Sequence, residues 1–379
     1  MKKVYFDLIM AQPLHGVKYH GGGEYIKSVF KYFCEKYRKH CDLYAFINLN
    51  GFIDEWVKEI ITQNNIKTID VKEISDIESY FKKEEINNAV FFTGMIYPYG
   101  KIQFPDNLKT IGTLHGLRVI EKPWDKSIYY YDSLKSCIYN TVRYKVLSRF
   151  SLKHEIHNFC REINNFDIVI TDSEHSRYSI FSNISNIHNK NIITLYPPMK
   201  EVTSDQIVSD GEYILIISAN RWLKNSLNAI LAIDNLYSSG LLTVRTRVIG
   251  ELPLKIRKRI KNIKKFDFYN YLSVDELEKA YAGCCVFLYP TFNEGFGLPP
   301  MEAMKYGKTC IISGVCSLPE LYGESVYYCN PYDISEIKIR ILEAIDIKID
   351  TEVINKRIEM IKHRQEEDTD YLCKLILED

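Results

Sequence analysis

Several features that would assign a chain of 379 residues to a class at once are missing or scarce here. There is no excess of either charge: 49 Lys and Arg balance 49 Asp and Glu, so no global field draws the chain to nucleic acid. None of the ten cysteines forms a Cys-x-x-Cys pair, and several, such as Cys284, Cys285 and Cys310, lie in apolar runs where thiols act as small hydrophobes; a reducing, cytoplasmic setting is expected. A charged fraction of 26% argues against both disorder and a membrane span. The opening apolar stretch Val4 to Met10 is interrupted by Asp7 and lacks a small-residue cleavage site, so it reads as a first strand, not a leader. Low-complexity tracts and short-period repeats are absent.

What is present suits a soluble α/β protein. The hydrophobic fraction of 46% is ordinary for a globular chain, and the length exceeds one ordinary core and suits two. In the first half, strands are predicted at Val4 to Met10, Leu43 to Asn48, Ala89 to Thr93, Lys109 to Leu114 and Asp167 to Thr171, alternating with helical segments; this is the pattern of a parallel sheet covered by helices. The glycine turn Gly21-Gly22-Gly23 separates the first strand from a helix with Tyr25, Val29, Phe33 and Tyr37 on one face. The pattern breaks at Tyr196-Pro197-Pro198, and the polar stretch to Gly211 reads as a linker. A second series follows with strands at Tyr213 to Ser218, Thr243 to Ile249, Phe266 to Phe268, Cys285 to Tyr289 and Thr309 to Ser313. Two Rossmann-like domains are expected, 1–198 and 199–365, with a C-terminal helix over 366–379 packing back on the first.

The most informative segment runs from Tyr289 to Met304 and joins a strand to a short helix. Gly295 and Gly297 let the backbone approach a ligand, while the helix start beyond Leu298 directs amides and positive partial charge there, suiting a diphosphate. Glu294 is placed to face a sugar, and Glu302, eight positions on, to accept from a ribose diol. A second element, Ser218-Ala219-Asn220-Arg221-Trp222-Leu223-Lys224-Asn225, sets Arg221 and Lys224 at a strand-to-helix junction, where both can neutralise a departing pyrophosphate. The plainer readings are a capped helix with an acidic loop and a pair of solvated surface cations.

With Glu294-Gly295-Phe296-Gly297-Leu298-Pro299 and Glu302, the chain resembles family 4 of the retaining glycosyltransferases, from about Tyr213 to Asp333 and more weakly in the first half. The resemblance implies the two-domain GT-B fold with an interdomain active-site cleft, and transfer of a hexosyl group from a UDP- or GDP-linked sugar to a glycan or lipid-linked saccharide in surface polysaccharide assembly. It assigns donor-sugar contacts to Glu294, ribose to Glu302, leaving-group charge to Arg221 and Lys224 with Asn225 beside them, and the approach to the transferring sugar to His115. Gly22, Gly23, Phe296 and Leu298 would line the donor, and Leu272 the base pocket, although the family's usual glycine is replaced by Asn270. The alternatives are a non-catalytic nucleotide-sugar-binding subunit, and an epimerase or inverting transferase on the same fold.

Asp368-Thr369-Asp370 resembles a metal-binding Asp-x-Asp but follows a charged run instead of an apolar strand; it is predicted to start a helix, and catalysis is expected to need neither metal nor cofactor. Between Arg118 and Lys153 eight cations face three acids, interleaved with Trp124, Tyr129, Tyr130, Tyr131 and Phe150. Contact with anionic lipid headgroups or a lipid-diphosphate acceptor is one reading and a solvated basic face with ordinary helical packing the other, which puts the chain in the cytoplasm or at the inner face of the membrane.

Overall fold

A computed structural model describes residues 1–13, 20–187, 189–198 and 211–378. Most of the expected linker, residues 199–210, lies outside the described residues. The chain divides into two compact units, one of 1–117, 153–201 and 362–379, the other of 118–152 and 202–361.

The first unit is built on seven parallel strands: β1 (Lys3–Asp7), β2 (Asp42–Ile47), β3 (Lys67–Asp70), β4 (Ala89–Thr93), β5 (Leu108–Leu114), β6 (Ile168–Thr171) and β7 (Asn191–Thr194), in the order β3-β2-β1-β4-β5-β6-β7. Parallel strands covered on both faces read as near-continuous apolar runs, which is why Val4-Tyr5-Phe6 and Ala89-Val90-Phe91-Phe92 are wholly buried. Phe6 packs on Phe30 and Phe33 of the helix Gly21–Tyr37, while its neighbour Tyr5 faces Tyr80 and Phe81 on the other side. The first strand is shorter than predicted and ends at Asp7, after which Ile9–Ala11 forms a tight turn.

The second unit has six parallel strands: β8 (Tyr213–Ile216), β9 (Arg245–Ile249), β10 (Phe266–Tyr269), β11 (Cys284–Tyr289), β12 (Thr309–Ser313) and β13 (Tyr327–Cys329), in the order β10-β9-β8-β11-β12-β13. Its core gathers Ile214, Ile230, Ile233, Val248, Val286 and Leu288 around the helix Ser226–Ser238.

The stretch 118–152, expected within the first half, packs with the second unit, and its contacts explain why. Tyr131 OH pairs with Ser226 Oγ at 2.7 Å and accepts the Leu227 N–H at 3.0 Å, capping the first turn of the helix Ser226–Ser238. Lys255 Nζ donates to the Tyr129 and Asp132 carbonyls, both at 2.8 Å, at the end of the short helix Ile128–Tyr131.

The last helix, Thr351–Leu377, is longer than expected and carries Asp368-Thr369-Asp370 in its interior. The predicted helix start there is therefore corrected: no Gly or Pro interrupts 351–377, so the pattern runs through. The two carboxylates are engaged separately, Asp368 accepting the Tyr196 N–H at 2.8 Å and Asp370 accepting from Tyr37 OH at 2.6 Å.

All ten cysteines are free thiols. Among the described residues, no helix is long and apolar enough to cross a membrane.

Candidate functional site

The strand order of the second unit reverses between β8 and β11, and in open α/β sheets ligands bind beyond the carboxyl ends of the strands at such a reversal. The loops leaving those two ends, 217–225 and 290–297, are the two segments that the sequence singles out. They are fastened together: the Phe292 N–H and the Thr291 hydroxyl both donate to the Leu223 carbonyl, at 2.8 and 3.0 Å. Ser317 Oγ donates to the Phe296 carbonyl at 2.9 Å and holds the second loop from behind.

Backbone strain gathers at this end of the sheet. Ser218, Asn225 and Cys316 all have φ between 53° and 55°, which side-chain-bearing residues seldom adopt. Gly250, at φ +112°, ends β9, where a Cβ would come within 2.6 Å of the Ala219 nitrogen.

Charge converges on the same place. Lys224, on the short turn Trp222–Lys224, is buried and forms an ion pair with Glu294, whose Oε1 also accepts from Tyr289 OH at 2.6 Å. Burial lowers the Lys224 pKa, with Glu294 opposing and Arg221 and Arg118 reinforcing the shift. Burial alone would raise Glu294, but Lys224, Tyr289 and Arg221 outweigh it and hold the carboxyl below its usual range. Arg118, exposed as a whole residue, completes the set: desolvation of its guanidinium and the charge of Arg221 lower its pKa, opposed by Glu294 and Tyr289. Three cations thus interact with one carboxylate, Lys224 in direct contact and Arg118 and Arg221 through their charge, leaving an excess of positive charge.

Arg118 is a residue that sequence reasoning missed as part of this site. It appears there only as the first cation of a basic stretch, and nothing local marks it. What brings it in is the packing of 118–125 on the second unit, where Asn293 Nδ2 donates to Glu121 and Lys122 Nζ lies over the stacked Phe292 and Tyr332 rings, 4.9 and 4.7 Å from their centres.

The remaining second-unit residues fall around this centre. Gly297, at φ +99°, precedes the helix Leu298–Met304, and a Cβ there would strike Leu318. The start of that helix offers fewer amides than the sequence reading assumed, because Pro299 and Pro300 have none and the Met301 N–H donates to Tyr322 OH at 3.1 Å. Of the first four helix positions, only Leu298 has an amide left for a ligand. Phe296 is buried, whereas Gly295 and Leu298 are half-buried. Glu302 accepts from Tyr281 OH at 2.7 Å. Leu272, half-buried, sits in the loop between β10 and the helix Val274–Ala282. Asn225 is fully buried, and its amide donates to the Pro290 and Pro331 carbonyls at 2.9 and 2.7 Å; its side chain ties the site loop to β13's exit.

In the first unit, the strand order reverses between β1 and β4, and the glycine turn opens the helix Gly21–Tyr37 after β1. The Gly23 N–H is taken by His20 Nδ1 at 3.0 Å, while His20 Nε2 lies 3.2 Å from the Gln12 carbonyl; the ring is therefore the neutral Nε2–H tautomer, in keeping with the pKa lowering that burial causes. Gly22 lies beside Met95 and His115. His115 Nδ1 is 2.7 Å from Asp172 Oδ2 and its Nε2 is 2.8 Å from the Gly94 carbonyl. The Gly94 carbonyl can only accept, so Nε2 carries a proton, and the Asp172 carboxyl holds the other side of the ring.

Residues 200–364 match the family model described as Glycosyl transferases group 1. Among curated proteins, the serotype-specific mannosyltransferase WbdA of Escherichia coli is 41% identical over 76 residues, 20% of this chain and 9% of that protein. The O-antigen chain mannosyltransferase RfbU of Salmonella typhimurium is 22% identical over 192 residues, covering 50% of this chain and 52% of that one. The chain thus matches about half of RfbU or less of the other relatives' lengths. Among solved structures, sucrose-phosphate synthase from Thermosynechococcus elongatus superposes with a TM-score of 0.70 at 13% identity, over 99% of this chain and 98% of that one. Anabaena HepE, solved with UDP and glucose, gives 0.67 at 13% identity over 99% of both. The switch-point loops and the paired glutamates thus lie inside the stretch, residues 200–364, that matches the glycosyl transferases group 1 model, and the chain has the GT-B fold of these solved structures.

Proposed function

We propose that this chain is a retaining glycosyltransferase that moves a hexosyl group from a UDP- or GDP-linked sugar to a saccharide or lipid-linked glycan during surface polysaccharide assembly. The names of the curated relatives make mannose the first sugar to try. The observation that carries the reading is the convergence of Arg118, Arg221 and Lys224 on Glu294 at the switch point.

The chemistry follows from that charge balance. A nucleoside diphosphate leaves with its negative charge increasing as the glycosidic bond breaks, so preorganised cations beside it act mainly on the transition state. Arg118 and Arg221 supply this charge, and Lys224 is aimed by its ion pair with Glu294, which opposes the lowering of its pKa by burial. Glu294 would accept from donor-sugar hydroxyls through its remaining lone pairs, Glu302 from the ribose, and Leu272 would border the base. With side-chain cations in this role, no divalent ion is required for leaving-group departure. Retention of configuration follows if the leaving phosphate takes the acceptor proton on the same face.

The test is transfer from UDP- and GDP-linked mannose and glucose to an oligosaccharide acceptor, with and without a chelator, and with the product anomer read by NMR. Arg221→Ala, at an exposed position, is expected to fold normally and lose about 10²–10³ in rate. A parental rate in Arg221→Ala, or an inverted product, would overturn the reading.

A further inference from the structure

The segment 133–154 contains Lys135, Arg143, Lys145, Arg149 and Lys153 and not one Asp or Glu. Along it, large apolar side chains recur every fourth residue and stand in solvent: Leu134 is 72% exposed, Ile138 56%, Val142 44%, Val146 70% and Phe150 77%. Tyr139 and Leu147 add to the same surface. Single exposed hydrophobics are ordinary, but a sustained series is not, because folding leaves such side chains in water only when something else covers them.

The backbone helps keep these residues together. On a regular α-helix a step of four residues overshoots one turn by about 40°, so five such positions would fan around the axis. Here the helix Leu134–Thr141 passes into a wide π-type turn, Val142–Val146, in which a four-residue step falls short of a turn and offsets the drift. Beneath the ridge, buried Cys137 and the Trp124 Nε1–H to Thr141 hydrogen bond at 3.2 Å anchor the segment. Cationic side chains flank it: Lys145 Nζ lies 4.8 Å from the centre of the Trp124 ring, and Arg143 stacks on Tyr139 and Tyr144.

We propose that this ridge is a membrane-docking surface that lies in the headgroup region of an anionic lipid bilayer, with Leu134, Ile138, Val142, Val146 and Phe150 entering the acyl boundary and the cations meeting lipid phosphates. The charge pattern is what commits it to lipid: an apolar ridge framed by cations and free of acids matches a surface that is apolar below and negative above. A protein partner would need its own acidic rim around an apolar groove. The inference is independent of the sugar-transfer reading, since none of these residues belongs to the Glu294 site.

The test is co-sedimentation of the full chain with vesicles of phosphatidylcholine alone and of phosphatidylcholine with 40% phosphatidylglycerol (about that fraction suffices for a strong surface potential). Binding is expected only to the anionic vesicles and should weaken at high salt. Val146→Ser/Phe150→Ser is expected to lose at least about tenfold in partition while keeping its melting temperature and its binding of nucleoside diphosphate, because both positions are exposed. Lys135→Glu/Arg149→Glu should lose binding similarly through charge alone. Equal binding to neutral vesicles, no binding to anionic ones, unchanged partition of either variant, or conversion of a dimer to a monomer by Val146→Ser/Phe150→Ser would overturn the proposal.

Discussion

Lys224 and Glu294 face each other in a buried setting where the two kinds of contribution, structural and chemical, are easily confused. Removing one partner of a buried ion pair strands the other, which typically costs about 3–5 kcal/mol, whereas replacing both by apolar groups is often neutral. Glu294→Ala is therefore expected to lower stability in denaturant titration, and Glu294→Ala/Lys224→Met to recover it. Sugar transfer should stay lost in both, and recovery of activity together with stability would show that the pair serves only the fold. Asn225 is the opposite case. Its amide bonds to the Pro290 and Pro331 carbonyls are made in the interior, so Asn225→Ala is expected to cost about 2–4 kcal/mol, read as a lower denaturation midpoint, with the left-handed backbone adding to the penalty. The sequence makes Asn225 look like a ligand contact because it follows Lys224; its burial between two loops is a tertiary fact.

Among elements, the strands that sequence reading recovers are mostly those buried on both faces, the edge strand β10 with its Phe266 and Phe268 being an exception. β1, β4 and β11 announce themselves as apolar runs. β3, β7 and β13 do not: Lys67-Thr-Ile-Asp is an edge strand with its side chains largely in water, Asn191–Thr194 is the opposite edge, and Tyr327–Cys329 is only three residues long. A short edge strand needs its neighbour to define it, so period alone gives no signal. The same reason hides Arg118, whose importance depends on which unit its segment joins. The final helix shows what a clear pattern is worth. Its end from Lys362 belongs with the first unit, where Leu372, Leu375 and Ile376 are buried and Lys109 Nζ donates to the Leu375 carbonyl at 3.1 Å. Ile376→Ala should cost about 2–5 kcal/mol in a melt of the full chain.

At the scale of the whole molecule, pH acts through carboxyls that prefer to keep their protons when folded. Burial raises Glu162 to about 8, with nearby Glu155 adding and Arg161 opposing, and raises Asp7 to about 6 despite hydrogen bonds from Thr93 and Tyr99. In the native state each binds a proton over a window where the unfolded chain has released it. Their contribution is therefore present below the ordinary carboxylate range and lost as pH rises, through about 6 for Asp7 and about 8 for Glu162. Glu162→Gln is expected to melt higher than the parent at pH 9 and much closer to it at pH 5; parallel melting curves across that range would refute the assignment. Overall neutrality has its own consequence: with 49 charges of each sign there is little net long-range field, and attraction for the anionic donor proposed above would be confined to the neighbourhood of Arg118, Arg221 and Lys224. Here Pro299 and Pro300 matter again. By removing two amides from the helix entrance they leave the proposed grip on phosphate mainly to charged side chains, and such a grip is eroded by dissolved ions, whose screening reaches across about 8 Å at physiological strength. The nucleotide should be held less tightly as the medium grows saltier, a sensitivity that a cradle made of backbone amides would largely escape.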